Sequence, residues 1–241
     1  MTTLFISDLH LDEERPAIGD QLLALLEGEA SNADALYILG DLFESWVGDD
    51  DPNEHYASIK IALCALVDSG VPVYFMHGNR DFMIGADFAR ETGVTLLPDP
   101  CRLELHGTSV LLSHGDAMCT DDVEYQQVRT MTRDPEWQAM MLTKPVEERI
   151  AFAAQARERS QAKYDSLNEE ITDVNQGEVE KTFNEHGVDV LLHGHTHRPA
   201  VHDVELGDRM AKRIVLGDWY EQGSILRWDE NGYSLDTMQR L

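Results

Sequence analysis

Side chains that can bind a metal ion follow directly after five short apolar runs, at residues 4–7, 35–39, 71–76, 109–112 and 188–192. The side chains are Asp8 and His10, Asp41, Asn79, His114, and His195 with His197. In α/β sheets, ligands bind beyond the carboxyl ends of the strands. If these runs are strands that end along one edge, four imidazoles, two carboxylates and one amide oxygen converge there. The sequence therefore predicts a metal site of nitrogen and oxygen donors without thiolate.

Seven donors are more than one cation needs. A carboxylate such as Asp41 can bridge two ions about 3.5 to 4 Å apart. Mn²⁺ and Fe²⁺ suit this mixture of donors, and Zn²⁺ is an alternative. In the segment Gly194-His195-Thr196-His197, residues i and i+2 would point the same way if the backbone were extended. We therefore expect a turn at a strand end that presents both imidazoles.

Several neighbouring side chains have two interpretations each. Asp81, Asp116 and Asp218 can orient a ligating histidine or cap a turn. His77 can contact a ligand or pack at the end of a strand. The residue types alone leave these alternatives open.

The runs that precede these side chains have the apolar pattern of buried strands. Amphipathic helices are expected at 18–26, 54–67 and 87–91, and at 175–186 with Asn175 and Glu178 as its start signal. A hairpin is expected around His106-Gly107 and another around Asn231-Gly232. The alternation of strands and helices predicts an α/β (α+β) fold.

Residues 120–170 differ from the rest, because strand signals disappear and the pattern is helical. Asp121 with Glu124 is a candidate capping box. Residues 129–163 hold seven basic and five acidic residues, in a chain whose formal net charge is -26. Their apolar residues, from Trp137 to Phe152, either pack on the domain or line an acyl-chain groove or touch a membrane. The net basic charge favours an interfacial face, because anionic lipid attracts Lys and Arg.

Composition narrows the class of protein. The charge of -26 argues against a nucleic-acid partner, which would require a basic face. No window approaches the length of an apolar membrane span, and the first residues do not resemble a signal peptide. The three cysteines are too scattered for a disulfide framework or a thiolate metal site, which favours a reducing cytoplasm.

The strand-end motifs resemble those of the calcineurin-like metallophosphoesterases. The motifs are Asp8-Leu9-His10, Gly40-Asp41, Gly78-Asn79-Arg80-Asp81, Ser113-His114-Gly115 and Gly194-His195-Thr196-His197. This resemblance implies a β-sandwich of two mixed sheets flanked by helices. The core would comprise residues 1–119 and 171–241, and residues 120–170 would form a helical lid.

More narrowly, residues 43–50 and Arg80 resemble the UDP-2,3-diacylglucosamine hydrolases, peripheral inner-membrane pyrophosphatases of lipid A synthesis. The resemblance implies hydrolysis at the α-phosphorus, giving UMP and 2,3-diacylglucosamine 1-phosphate. It places two ions, usually Mn²⁺, in the site. One would be held by Asp8, His10, Asp41 and His197, and the other by Asp41, Asn79, His114 and His195.

The same resemblance implies which groups act on the substrate. A water bridging the ions would be the nucleophile. Arg80 would hold a phosphate with its planar guanidinium, or alternatively form a surface ion pair with Asp81, and His195 would contact the substrate beside Asn79. Further substrate contacts would come from Asp122, Ser160, Tyr164 and Leu167. Relatives usually carry a small polar residue and a lysine at the last two positions, so this sequence departs from the pattern there.

Two rival functions need weighing. Another binuclear phosphodiesterase would not need a lid of about fifty residues that is both apolar and basic. A metal-free binding scaffold would be expected to have lost some of the seven donors. We expect no obligate protein partner.

Overall fold

In the computed structural model, residues 2–164, 171–207 and 209–238 are described, with the backbone alone at 161–164. These ranges contain eleven strands: β1 (Thr3–Ile6), β2 (Ala35–Ile38), β3 (Val73–Met76), β4 (Thr95–Leu97), β5 (Cys101–Leu105), β6 (Thr108–Ser113), β7 (Val190–His193), β8 (Ala200–Leu206), β9 (Arg209–Val215), β10 (Gly223–Asp229) and β11 (Gly232–Met238). They also contain seven α-helices: α1 (Pro16–Glu27), α2 (Ala57–Asp68), α3 (Ala86–Thr92), α4 (Val123–Thr132), α5 (Pro135–Leu142), α6 (Val146–Tyr164) and α7 (Gln176–His186).

The strands of these ranges form two mixed sheets. One has the order β11-β10-β1-β2-β3-β4, with β1 to β4 parallel, and the other has the order β5-β6-β7-β9-β8, with β6, β7 and β9 parallel. The predicted fold class, two mixed sheets flanked by helices, is confirmed. The carboxyl ends of β1, β2 and β3 therefore approach those of β6 and β7 from the opposite sheet.

The two-residue period of the strands produces the layers. Leu4 and Ile6 of β1 pack with α1 and α2, whereas Phe5 between them faces the second sheet. On the outer face of the second sheet, Leu191 packs with Phe183 of α7. Each fully buried leucine stabilises such a layer by roughly 1.5 to 3 kcal/mol.

Sequence patterns located the buried elements better than the exposed ones. They missed β4 and most of the β8–β9 hairpin, because β8 is an edge strand in which only Val204 is buried. The cap of α4 was predicted one residue too early. Asp122, not Asp121, accepts the hydrogen bond from the Tyr125 amide (3.0 Å), while Asp121 accepts from the Asn175 side chain. The start of α7 at Asn175 is confirmed, with a bond from the Glu178 amide (3.1 Å).

Helices α4, α5 and α6 lie between β6 and α7 in the chain, and we call them the helical insertion. Its arginines contact the core: Arg129 lies 2.9 Å from Asp116, and Arg133 donates to the Gly78 carbonyl (2.9 Å). Several apolar side chains, in contrast, are exposed by 41 to 50%: Val128, Met131, Met140, Leu142, Ile150 and Phe152. Among the helices in the described part of the chain, none combines the length and hydropathy that a membrane span requires.

Candidate metal centre

The seven predicted donors lie in turns after their strands, and five of them have a left-handed backbone. The φ angles are 56° at Asp8, 51° at His10, 52° at Asp41, 68° at His195 and 55° at His197. Such angles are uncommon outside glycine and persist only where the surrounding structure enforces them. These angles exclude an extended segment at His195 and His197, in agreement with the predicted turn, and the two imidazoles face different groups of donors.

Asp8, His10 and His197 form the first group, which we call the first half-site. The Nε2 atoms of the two imidazoles lie 3.2 Å apart. Asp8 Oδ1 is 3.4 Å from His197 Nε2 and 3.9 Å from His10 Nε2. Three donor atoms from β1 and β7 therefore converge on one small volume.

Asn79, His114 and His195 form the second half-site. Asn79 Oδ1 lies 3.0 Å from His114 Nε2 and 2.9 Å from His195 Nδ1. His195 thus approaches through Nδ1, whereas the other three histidines of the centre present Nε2. Asp41 also belongs to this group, because its carboxylate lies within 4.8 Å of the ligand atoms of His114 and His195.

One oxygen of Asp41 faces both half-sites. Oδ2 lies 3.7 Å from His10 Nε2 and 3.8 Å from His114 Nε2. The other oxygen, Oδ1, is occupied because it accepts the Arg80 amide at 2.8 Å. The free oxygen is therefore placed where a carboxylate would bridge two ions.

A buried carboxylate oxygen of Asp8 also indicates a site for a cation. Asp8 is fully buried, and its Oδ2 accepts from Ser7 Oγ (2.5 Å) and the His195 amide (2.9 Å). Its Oδ1 is buried without a hydrogen-bond partner among the described residues. An unpaired buried carboxylate oxygen is costly, and a cation would satisfy it.

Two glycines allow the turns to approach this closely. A Cβ at Gly194 would lie 2.2 Å from Asp8 Oδ2, and one at Gly78 would lie 2.0 Å from Asp41 Oδ1. Because any side chain would displace these carboxylates, the motif glycines are steric requirements of the centre.

The outer nitrogens of three of the four histidines also face acceptor oxygens. His10 Nδ1 lies 2.9 Å from Glu44 Oε2, and His197 Nδ1 lies 3.3 Å from Asp218 Oδ2. His114 Nδ1 lies 2.9 Å from the Leu39 carbonyl oxygen. Such acceptors hold a proton on the outer nitrogen and leave the inner lone pair for a metal.

Burial and mutual charge shift the pKa values of these groups. Burial lowers the pKa of His114, but the carboxylates of Asp41, Asp116 and Asp8 outweigh it and raise the pKa to about 9. Burial lowers the pKa of His195, and the charge of His114 lowers it further, to about 4. Burial would raise the pKa of Asp8, but the neighbouring histidines, His197 foremost, bring it below its usual range. In the absence of ions, His114 therefore carries a proton that a metal must displace.

The contacts of the neighbouring residues show which of their two interpretations applies. Asp81 accepts the amides of Gly78 and Leu42, each at 2.8 Å, so it caps these turns. Burial and the nearby Asp41 raise its pKa to about 7. Asp218 does both, because its Oδ2 faces His197 and its Oδ1 accepts the Tyr220 amide at 3.0 Å. His77 packs at the strand end with Nε2 2.7 Å from the Ile84 carbonyl. Asp116 accepts from the Tyr125 hydroxyl (2.9 Å) and so ties the helical insertion to the core.

Three residues near the centre were missed by sequence reasoning. Glu44 contacts His10, the Tyr220 ring stacks on His10 at 5.3 Å, and the Tyr125 ring lies 5.7 Å from that of His195. Burial raises the pKa of Glu44, but His10 and Arg80 lower it to about 2, so this carboxylate is ionised at neutral pH. Two signals were available for Glu44, its place in the family segment 43–50 and its position three residues after Asp41.

The residues predicted to contact the substrate are less closely grouped than the seven donors. Arg80 lies beside Asn79, with its side chain 25% exposed and Nη1 3.8 Å from Glu44 Oε1. Asp122 caps α4, and Ser160 is exposed on α6. Tyr164 is the last residue of α6, and its side chain lies outside the described residues, as does Leu167 as a whole.

Comparison with known proteins gives the family. Residues 1–199 match the family model described as calcineurin-like phosphoesterase. A UDP-2,3-diacylglucosamine hydrolase of Stenotrophomonas maltophilia (strain R551-3) is 57% identical over 247 residues, covering 100% of both chains. The chain belongs to the calcineurin-like phosphoesterases and, within them, to the family of the UDP-2,3-diacylglucosamine hydrolases. Further members of the same name, from Xanthomonas axonopodis pv. citri and Xanthomonas campestris pv. campestris (strain 8004), are 53% and 51% identical, each over 99% of both chains.

The match to the calcineurin-like phosphoesterase model covers all five strand-end motifs, because it runs from residue 1 to residue 199. The full-length relatives also cover the helical insertion. The resemblance noted from the motifs is therefore confirmed at both levels, the broad phosphoesterase family and the narrower hydrolase family.

Proposed function

We propose that this chain hydrolyses UDP-2,3-diacylglucosamine at the α-phosphorus, giving UMP and 2,3-diacylglucosamine 1-phosphate in lipid A synthesis. One observation carries the proposal. Two half-sites share Asp41 Oδ2, in a chain 57% identical over its whole length to named hydrolases of this substrate. The shared oxygen is what a two-ion phosphoester site requires.

The proposed ligands of the first ion are Asp8, His10, Asp41 and His197, and those of the second are Asp41, Asn79, His114 and His195. We assign Mn²⁺ to both positions, since the donors are imidazole nitrogens and oxygens without thiolate. When bound, the pair of cations lowers the pKa of water and stabilises negative charge on phosphoryl oxygens.

The chain's own residues orient the substrate and keep the ligands in the right state. Arg80 presents a planar guanidinium beside Asn79, suited to two oxygens of a phosphate. Its other neighbour is Glu44 at 3.8 Å, too far for a tight bond, so Arg80 can turn to the substrate. His195, with a pKa lowered to about 4, is neutral at pH 7 and keeps a lone pair on Nδ1.

The helical insertion is proposed as the lid that covers the sugar and acyl chains. Asp122 and Ser160 lie on it as proposed substrate contacts, and Tyr164 and Leu167 are proposed to join them. Met141 is buried, whereas Leu142, Ile150 and Phe152 are 46, 47 and 41% exposed and offer apolar surface to acyl chains. The exposed fractions support this use more directly than the basic charge does, because Arg129, Arg133 and Arg149 contact the core.

We extend the proposal to peripheral binding at the cytoplasmic face of the inner membrane, where such a substrate resides. Apolar side chains exposed on short helices are the kind of surface that inserts into a lipid interface. Flotation of the purified chain with anionic vesicles tests this extension, and a chain that stays entirely unbound contradicts it without affecting the chemistry.

The reaction is tested by incubating the chain with Mn²⁺ and UDP-2,3-diacylglucosamine in water enriched in ¹⁸O. The expected products are UMP carrying the label and unlabelled 2,3-diacylglucosamine 1-phosphate. Label in the lipid product would contradict attack at the α-phosphorus. Hydrolysis of a generic phosphodiester without release of UMP would contradict the substrate assignment and leave the phosphoesterase chemistry.

A further inference from the structure

Of the segment 43–50, which follows Asp41, Glu44 alone has been placed near the metal centre so far. Two arginines of α6 contact it. Arg149, only 2% exposed, donates to the Val47 carbonyl (2.6 Å) and to Asp50 Oδ1 (2.8 Å). Buried guanidinium groups need such complete pairing, so this contact anchors α6 on the segment.

The second arginine, Arg157, contacts the other end of the segment. Its Nη1 lies 3.3 Å from Glu44 Oε1, and its side chain is 40% exposed. Eight residues of α-helix span about 12 Å, so the two arginines grip the segment at two separate points. Arg149 holds the helix in place, and Arg157 reaches toward the metal centre.

Glu44 connects this contact to a metal ligand. The residue is 8% exposed, and its two oxygens have different partners. Oε1 faces Arg157, while Oε2 lies 2.9 Å from His10 Nδ1. The negative charge of a carboxylate this close to Nδ1 favours a proton on that nitrogen and leaves Nε2, the nitrogen facing Asp8 and Asp41, free to bind a cation.

A buried carboxylate needs its own cationic partner to stay in place. The guanidinium groups within 4 Å of Glu44 in the described residues belong to Arg157 at 3.3 Å and Arg80 at 3.8 Å. The substrate phosphate competes for Arg80 in the proposed reaction. Arg157 is then the partner that remains with Glu44 through a turnover.

We propose that Glu44 is a positioning residue for His10 and that Arg157 holds Glu44, so that the seating of α6 on the segment 43–50 sets the first half-site. The inference rests on the proposed function, because it takes His10 as a metal ligand. It gives the helical insertion a role in preparing the metal centre besides covering the substrate.

The test is the binding of Mn²⁺ to the full chain by equilibrium dialysis. In Glu44→Gln, the affinity for one of the two ions is expected to fall about 10- to 100-fold, while the other ion is unaffected. In Arg157→Gln, the affinity for the same ion falls about two- to fivefold, since the arginine is partly exposed. Arg157→Lys retains part of the effect, and Arg159→Gln, an exposed arginine two residues along α6, changes nothing.

The double variant Glu44→Gln/Arg157→Gln separates this link from a general loss of stability. Because Arg157 acts through Glu44, the double variant is expected to bind Mn²⁺ no more weakly than Glu44→Gln alone. Additive losses, or equal losses for both ions, would overturn the link through Arg157. An unchanged affinity in Glu44→Gln would overturn the whole inference, and should that variant fail to fold, Arg157→Gln with its lysine rescue decides the matter.

Failure of this inference can be told apart from failure of the proposed function. A wild-type chain that binds no Mn²⁺ overturns both. A wild-type chain that binds two ions and shows the Glu44 effect, but releases no UMP, overturns the proposed function alone.

Discussion

The two half-sites contain similar donor side chains but hold them differently. In the first, the outer nitrogens of His10 and His197 face the carboxylates of Glu44 and Asp218. In the second, the outer nitrogen of His114 faces a backbone carbonyl, that of Leu39. An anionic acceptor makes the imidazole more basic than a neutral one does. The first half-site is thus adjustable through side chains, whereas the second depends on the backbone and on the shared Asp41.

The largest loss of activity is expected from a substitution of Asp41, which belongs to both half-sites. Asp41→Asn keeps the shape of the side chain but removes the charge shared by the two ions. The rate of UMP release at saturating Mn²⁺ should fall at least about a thousandfold, since two-ion catalysis depends on this bridge. Asp20→Asn, on the exposed face of α1, is the control and should be fully active. A loss of less than tenfold in Asp41→Asn would show that the half-sites work independently.

An intermediate effect is expected where only one half-site is changed. Asp218→Asn removes the anionic acceptor of His197, so the affinity of one ion should fall about 10- to 100-fold while the other stays the same. Equilibrium dialysis with Mn²⁺ measures both affinities, with the exposed Glu221→Gln as control. If both ions weaken equally, the distinction between a side-chain-tuned and a backbone-tuned half-site is wrong.

The smallest effect is a pH dependence of stability in the metal-free chain. The pKa of His114 is raised from 6.5 to about 9, and that of His197 is also raised, chiefly by Asp8 against the effect of burial. The stabilising contribution of the His114 proton is therefore fully present below pH 6.5 and is lost as the pH rises through about 9, and His197 contributes in the same direction. The free energy of unfolding should fall by at most about 1.4 kcal/mol per pH unit for each proton.

Guanidinium unfolding in the presence of a chelator, at pH 6, 7.5 and 9, measures this slope. Saturation with Mn²⁺ should reverse its sign, because the metal binds neutral imidazole and competes with the proton. A metal-free chain whose stability is flat or rises from pH 6.5 to 9 would contradict the charges assigned to these histidines.

Much of the fold was predictable because its buried parts carry strong local patterns. The parallel strands β1, β2, β3 and β7 are apolar runs buried on both faces, and such runs stand out in a sequence. The edge strand β8 gave no such signal, since only Val204 of it is buried. The cap of α4 was misplaced by one residue because Asp121 and Asp122 are both acidic, and backbone geometry chooses between them.

Residue types and spacing predicted the donors of the candidate centre, whereas their division between two half-sites came from the family resemblance. All seven side chains come together at the ends of strands from both sheets. Their function as metal ligands stays a prediction. Left-handed backbone at residues such as His195 and His197 sends neighbouring imidazoles to different half-sites, and local spacing cannot show this.

The sequence by itself determined the types of donor, their positions after apolar runs and the family, because these depend on residue identity and short-range periodicity. Only the tertiary structure decided which oxygen of Asp41 is shared, which acceptor each histidine faces, and that Arg149 and Arg157 turn inward. These features join residues up to 113 positions apart, as in Arg157 and Glu44. Such contacts follow from the packing of whole helices and sheets, and a local pattern carries no information about them.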